Sequence, residues 1–589
     1  MKSFLKYTLA TITGIIIASV LFFVVMLASL TAIISSGNKP VSISNNSILV
    51  IKAGVTIPDR ADQNPFKDID FVNLTLSYTP GLNEILHNID KAANDDKIRG
   101  ILIENGLQPG GWATTEEIRN AIKKFRKSGK FVISYSDYML TQECYYLATA
   151  ADKIYINPGS MVDFKGLSSE VMFFRKALEK IGVEVQVVRH GKFKGAVEPF
   201  ILDKLSDENK AQIKDYTGSV WNQVLEDISM SRNISVEHLN KIADNLDGDL
   251  ATRALESKLV DRLMYRDELI DTLKTLSGIK SDKDLNLVSL VKYNKVPENK
   301  LNYSVKKKIA VVYAEGDIVN GKGNEGNIGG NYYADVIRKV RLDTTIKAIV
   351  LRVNSPGGSS TAADIIWREL ELASKVKPVV VSMGNYAASG GYYISAPGTK
   401  IYADPMTISG SIGVFGLILN VSKLLDQKLG LTTETLNTNK NSDFPSVTRA
   451  MSPYERELMQ MSIEKTYGDF VNKVASGRKM SSQSVDSIGQ GRVWSGTSAL
   501  KIGLVDEMGG IEDAIKGAAK LAGIESYSIR ELPEIEDPYT RILSQLGGEL
   551  KMNILKNELG ESVKFYKMLQ EVKDMSGIQA RMPYFIDIH

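Results

Sequence analysis

KPVVVSMGNYAASGGYYISAPGTKIYADP, residues Lys377 to Pro405, is the stretch whose reading decides the fold. It opens on a β-branched run, PVVVSM, and turns through a corner of small residues, Ala387, Ala388, Ser389, Gly390 and Gly391. A short apolar segment then leads into a second strand-like run, KIYA. The first half of the chain carries the same pattern in KFVISYSDYMLTQECYYLATAADKIYINP, residues Lys130 to Pro158. One offset of 247 residues pairs Pro109 with Pro356, Tyr145 with Tyr392 and Pro158 with Pro405. Upstream, IRGILIENGLQPGG (Ile98 to Gly111) matches IKAIVLRVNSPGG (Ile346 to Gly358), and downstream ALESKLVD (Ala254 to Asp261) matches ALKIGLVD (Ala499 to Asp506). A register held over this distance marks an internal duplication.

Within each copy, short β-branched runs such as ILVIKAG, GILIE, FVISYS and KIYIN alternate with helical segments. That order implies right-handed βαβ crossovers and mostly parallel sheets, so the chain reads as α/β with two tandem units. The units span about 46–300 and 305–535, separated by the charged, weakly patterned stretch around VPENKLNYSVKKK. A tail over 536–589 has amphipathic character (ILSQLGGELKMNILKNEL) and is expected to be helical.

The N-terminal segment, 1–45, is of another kind. Lys2 and Lys6 precede a run from Tyr7 to Ile34 without a charged residue. As a helix it reaches roughly 40 Å, enough to cross a bilayer core of about 30 Å, and it is longer than the apolar part of a cleaved signal peptide. It is expected to be a retained anchor, with the lysines in the cytoplasm and the rest of the chain outside. In a bacterium that places the folded units on the periplasmic side of the inner membrane.

Composition narrows the function. The 589 residues carry 72 basic and 69 acidic side chains, a net charge of +3, so no overall field points to nucleic acid. The lone cysteine, Cys144, is too little for a zinc or iron-sulfur site and reads as a small buried hydrophobe. The glycines of GDIVNGKGNEGNIGG (Gly316 to Gly330) give neither a Walker pattern nor a dinucleotide fingerprint, which favours a flexible lid or rim loop. No metal or cofactor is expected.

Differences between matched positions show where the copies specialise. At the same offset Ser389 faces Gln142, Gly390 faces Glu143 and Gly391 faces Cys144. The small residues of the second copy suit a nucleophile at a strand-to-helix turn, where a substrate backbone approaches closely and free N–H groups are on offer. The first copy, with bulky and charged residues there, is expected to have lost that chemistry. A second glycine turn, Asn354-Ser355-Pro356-Gly357-Gly358, follows the strand AIVLRV. In a parallel sheet such turns converge at the carboxyl ends of neighbouring strands, so the N–H groups of Gly358 and Gly390 are candidates for an oxyanion hole.

A serine hydroxyl needs a base. The chain has four histidines, His87, His190, His238 and His589, and only His190 falls in a stretch with other candidate groups, VVRHGKFKGAVEPF. That stretch holds Lys192 and Lys194 among small residues. A lysine acts as base only when its amine, with an ordinary pKa near 10.4, is neutral, which takes burial or neighbouring positive charge.

At these residues the sequence resembles the signal peptide peptidase A family, also called protease IV, in its long tandem-domain form. The motifs are KFKGAVEPF, VNSPGGS and NYAASGGYYISAP followed by ADPMTISGSIGVFG. The resemblance implies a fold like that of the Clp protease and crotonase group. It also implies a Ser/Lys dyad, with Ser389 as nucleophile and Lys194 as base, a homotetramer at the membrane, and cleaved signal peptides as substrates. The sequence departs from the commonest form of the lysine motif at Gly195, where serine is expected. Lys440, in TNKNS, is the rival base, and Ser355, Ser359, Ser409 and Ser411 are rival nucleophiles. Two other classes stay open, a crotonase-like acyl-CoA enzyme and a non-catalytic membrane scaffold. Small residues around Ser389 imply narrow pockets for small or apolar side chains.

Overall fold

A computed structural model describes residues 41–534 and 577–582, except 54–56, 62–68, 71–74, 77–78, 106–109, 299–304 and 325, together with 4, 6–8 and 10–21 near the N-terminus. Residues 10–21 are helical, and the remainder of the expected anchor, 22–34, lies outside the described residues. Among the described residues no helix is long and apolar enough to cross a membrane.

The two copies each build a sheet. The first runs in the order Arg262–Leu263, Lys153–Ile156, Phe131–Ser136, Ile98–Asn105, Ser47–Ala53, Leu287–Ser289, every neighbour parallel. The second has Val379–Ala388, Ile346–Ser355, Lys308–Glu315 and Ser528–Leu532 in parallel succession, with Ile408–Gly410 paired beyond Val379–Ala388 and Val493–Ser495 antiparallel at its edge. Helices cover both faces, so the central strands are near-continuous apolar runs: of Ile346–Ser355, only Lys347 is exposed.

The halves are not separate bodies. Ile309, Val350 and Val380, from strands of the second half, and Ile511 and Ala514, from the helix Ile511–Leu521, belong to the same apolar core as Ile101 and Ile122 of the first. Buried Arg352 reaches across the junction: its guanidinium donates to Asp59 Oδ1 at 2.9 Å and to Glu117 Oε1 at 2.7 Å, and Glu117 Oε2 accepts from the Ile511 N–H at 2.7 Å. Replacing Arg352 with leucine strands two buried carboxylates. A loss of about 3–5 kcal/mol is expected, read as a lower urea midpoint in equilibrium unfolding.

A third, mixed sheet spans both halves in the order Asn327–Gly329, Asp317–Val319, Gly357–Ser359, Gly577–Arg581, Val414–Asn420, Glu184–His190. It corrects two expectations. The glycine-rich segment 316–330 supplies two paired strands rather than a free lid, because its backbone hydrogen-bonds edge to edge beside Gly358. The described part of the tail is a strand, not a helix, because it slots between two strand edges that would otherwise be unpaired.

Candidate active site

The strand Val379–Ala388 ends at Ser389, which caps the helix Gly390–Ser395 with φ 55° and ψ −113°. A non-glycine residue in this region carries strain of order 1–3 kcal/mol and persists only where its surroundings fix it. Here the Ser389 N–H donates to Gly410 O at 2.8 Å while its carbonyl accepts from the Tyr393 N–H at 2.8 Å. The corner is packed tightly from behind. A methyl on Gly391 would lie 2.6 Å from Ser355 O, so glycine there is required for the two turns to touch.

Lys194 arrives from the first half. Its side chain is fully buried, and Nζ lies 2.8 Å from Ser389 Oγ, 3.0 Å from Ser411 Oγ and 3.2 Å from Ser411 O. A neutral amine has two N–H donors and one lone pair. Ser411 takes both donors, through its carbonyl and hydroxyl, which leaves the lone pair facing the Ser389 O–H. Burial holds the Lys194 amine well below the ordinary lysine value, with no carboxylate to oppose it. The neighbouring Lys192 lies 5.2 Å over the Phe193 ring, so its charge is not what depresses Lys194.

The loop that carries Lys194 is fixed by residues the sequence reading missed. Buried Glu198 accepts from the Asn209 side-chain amide at 2.7 Å and from the Ser206 N–H at 3.1 Å. Gln212 donates to Phe193 O at 3.0 Å and accepts from the Val493 N–H at 3.1 Å, stapling the lysine loop to the second half. The only available signal was Glu198 inside KGAVEPF. Asn209 also explains Gly195: a methyl there would lie 2.4 Å from its Oδ1. Gly491 completes the enclosure, since a methyl on it would meet the Lys194 backbone at 2.7 Å.

The oxyanion candidates converge. A methyl on Gly390 would lie 3.2 Å from Gly358 N, and one on Gly357 would lie 2.7 Å from Gly390 N. The turn holds its shape with φ 103° at Gly357 and 151° at Gly358, values that glycine adopts freely.

The rival residues sit elsewhere or do other work. Lys440 is exposed, its amine 6.0 Å from the Tyr454 ring centre. Ser355 Oγ accepts from the Gly357 N–H at 3.1 Å and so shapes the glycine turn. Ser359 caps the helix Ser360–Ser374. Ser409 donates to Ala387 O at 3.0 Å.

In the first copy the equivalent corner is filled by its own side chains. Gln142, which faces Ser389, accepts from the N–H groups of Lys165 and Gly166 at 2.9 Å each. Glu143 accepts from Thr115 Oγ1 at 2.7 Å and from the backbone of Gly111, the counterpart of Gly358. A carboxyl group thus accepts from the first copy's counterpart of the Gly358 N–H, the candidate oxyanion donor. Burial raises Glu143 to about 7 and the buried Cys144 thiol to about 12. A raised carboxyl stabilises the fold below its unfolded value near 4.3, and that contribution is lost as pH rises through about 7. Glu143→Gln is expected to flatten this loss in a pH series of denaturant melts while leaving peptide turnover unchanged.

Comparison with known proteins places the chain. The model of Peptidase family S49 matches twice, over residues 124–280 and 371–525. "Protease 4" of Haemophilus influenzae is 34% identical over 512 residues, covering 85% of this chain and 83% of that protein. "Serine protease SPPA, chloroplastic" of Arabidopsis thaliana is 32% identical over 507 residues, covering 85% of this chain and 74% of that protein. "Putative signal peptide peptidase SppA" of Enterococcus faecium is 39% identical over 185 residues, covering 31% of this chain and 54% of that protein. The chain is a serine protease. It belongs to peptidase family S49, with the family domain present in both halves.

Proposed function

We propose that this serine protease is a membrane-anchored endopeptidase whose nucleophile is Ser389 and whose general base is Lys194, and that it degrades cleaved signal peptides and other unfolded apolar segments. The observation that carries the reading is the 2.8 Å approach of a fully buried lysine amine to a serine hydroxyl on a strained strand-to-helix corner. Neutral Lys194 takes the proton of Ser389 as Oγ attacks a peptide carbonyl. The N–H groups of Gly358 and Gly390 hold the developing oxyanion, Lys194 returns the proton to the leaving amine, and water then hydrolyses the ester. The strand edges of Gly357–Ser359 and Val414–Asn420 beside Ser389, which here pair with Gly577–Arg581, suit extended backbone, and so unfolded segments rather than folded domains.

The charge-free run Tyr7–Ile34 supports an N-terminal span, with the catalytic units on the outer face of the cytoplasmic membrane. A homotetramer of Clp-like units fits the resemblance drawn from the motifs. Neither an acyl-CoA enzyme nor a scaffold calls for a buried neutral amine against a serine. The test is labelling with a fluorophosphonate alongside turnover of a synthetic signal peptide. Both are expected in the wild type and absent in Ser389→Ala, and equal labelling of the two proteins would refute the assignment.

A further inference from the structure

Three residues of the second half, Gln490, Gly491 and Arg492, are bonded to both loops that hold the reactive amine. The N–H of Phe193, next to Lys194, donates to Gln490 O at 3.0 Å, and the Ser411 N–H donates to Arg492 O at 2.6 Å. Between them the Gly491 N–H donates to Ile412 O at 2.7 Å. The loop that carries the base and the loop that carries Ser411, acceptor of both amine donors, therefore hang on one short stretch of backbone. A shift of that stretch moves Lys194 relative to Ser411, and turns the amine lone pair away from Ser389.

The first residue of the stretch is strained. Gln490 has φ 55°, uncommon for a residue with a side chain. It is fixed by Tyr467, from the helix Pro453–Arg478. The Tyr467 hydroxyl accepts from the Gln490 N–H at 3.2 Å and from its side-chain amide at 3.3 Å, and donates to Asp486 Oδ1 at 2.5 Å. The same Asp486 oxygen accepts from the Gln490 amide at 2.5 Å, which closes a triangle of side chains around the turn. Tyr467 is 5% exposed and packs in one apolar core with Val414 and Phe470. Its ring also stacks on that of His190, with centres 3.8 Å apart, and His190 ends the strand that leads into the Lys194 loop.

We infer that Tyr467 is a positioning residue of the reaction: its hydroxyl fixes Gln490, and through Gln490 the backbone that sets Lys194 against Ser411. This rests on the assignment of Ser389 and Lys194 above. The hydroxyl bonds to Asp486 and Gln490, not to the dyad itself, so it acts only by keeping the amine in place and sealed. Burial is what holds Lys194 well below the ordinary lysine value, and a loop that loosens admits water and returns the amine toward that value. The base is then both misplaced for proton transfer and charged up to a higher pH.

The experiment measures turnover of a synthetic signal peptide by the full chain in detergent, as kcat and KM over a pH series, with urea unfolding of each protein alongside. Tyr467→Phe keeps the ring, its packing and its stack on His190, and removes only the hydroxyl. It is expected to lower kcat about ten- to a hundredfold at neutral pH, to leave KM unchanged, and to move the rising limb of the kcat profile to higher pH. Gln490→Gly, which suits φ 55° but has no side chain to anchor, is expected to shift kcat and the limb in the same directions. It alone decides the matter if Tyr467→Phe does not fold. Glu464→Gln, which alters the 2.6 Å partner of His190 on the same helix and leaves the hydroxyl alone, is expected to keep the wild-type kcat and limb. The inference is overturned if Tyr467→Phe loses urea resistance but keeps the wild-type kcat and limb, if Gln490→Gly leaves both where they are, if KM changes in place of kcat, or if Glu464→Gln moves the limb as far as Tyr467→Phe. A wild type that turns over no peptide, or that Lys194→Ala matches, would remove the dyad and this inference with it.

Discussion

Lys194→Ala is expected to lower peptide turnover about ten-thousand-fold or more, Ser389→Ala to do the same, and the double variant to lose little beyond either alone. The near-identity of the three follows from the geometry: amine and hydroxyl are 2.8 Å apart and act as one unit, so removing either leaves only the binding groove and the glycine corner. Lys194→Arg is not a rescue, because a guanidinium stays charged and cannot accept the proton. The pH dependence carries a sign. The amine is held well below its ordinary value by burial, so turnover rises with pH through that lowered value and reaches its plateau below the ordinary lysine range. Stability moves the same way. Between the folded value and about 10.4 the unfolded chain binds a proton that the folded chain does not, so the fold gains stability as pH rises through that window and loses it as pH falls. Lys194→Met removes the titrating group, and its stability advantage over the wild type should be larger at pH 6 than at pH 10, measured by urea unfolding at each pH.

Gly358→Ala is the second large effect. With φ at 151° and a methyl that would fall 2.1 Å from Ile318 O, alanine cannot sit here without moving the backbone of its strand or of Asp317–Val319. The N–H proposed to hold the oxyanion moves with it. Losing one such donor raises the barrier by about 2.7–4 kcal/mol, a fall of about a hundred- to a thousandfold in kcat. The same strand pairs with extended peptide, so KM should rise as well. Steady-state kinetics on a signal peptide, with circular dichroism to confirm the fold, checks this. An unchanged kcat would mean that the oxyanion is held elsewhere.

What the sequence disclosed depended on the range of the interactions. The parallel strands were legible because a duplicated register repeats the same β-branched runs, and burial on both faces needs nothing beyond local composition. The corner at Ser389 and the turn at Gly357 and Gly358 were legible because small residues at a strand end have few uses. Lys194 is different: its partner lies 195 residues away, and only resemblance to a family singled it out from the other lysines. Ser411 was legible only as a rival nucleophile or a residue shaping the cleft's hydrogen bonds, and that it holds Lys194 through a carbonyl and a hydroxyl depends on a backbone with φ 49° that the sequence does not display. Glu198, Asn209 and Gln212 act through hydrogen bonds among three separate stretches, which no period or spacing encodes.

Two misreadings share a cause. Gly316–Gly330 looked flexible because it is rich in glycine, yet Gly316, Gly321, Gly323 and Gly326 adopt positive φ to turn the chain between paired strands. GIQAR, residues Gly577 to Arg581, alternates apolar Ile578 and Ala580 with polar Gln579 and Arg581 over too short a span to mark a strand, and the strands Gly357–Ser359 and Val414–Asn420 impose its conformation. In both cases tertiary pairing overrides weak local preference.

The encounter of Lys194 with Ser389 can be read directly from the rate at which a fluorophosphonate labels Ser389 across a pH series. A neutral buried amine predicts that labelling of the wild type rises with pH, levels off below the ordinary lysine range, and becomes slow in Lys194→Ala. Labelling of Lys194→Ala at the wild-type rate and with the wild-type pH profile would contradict the account.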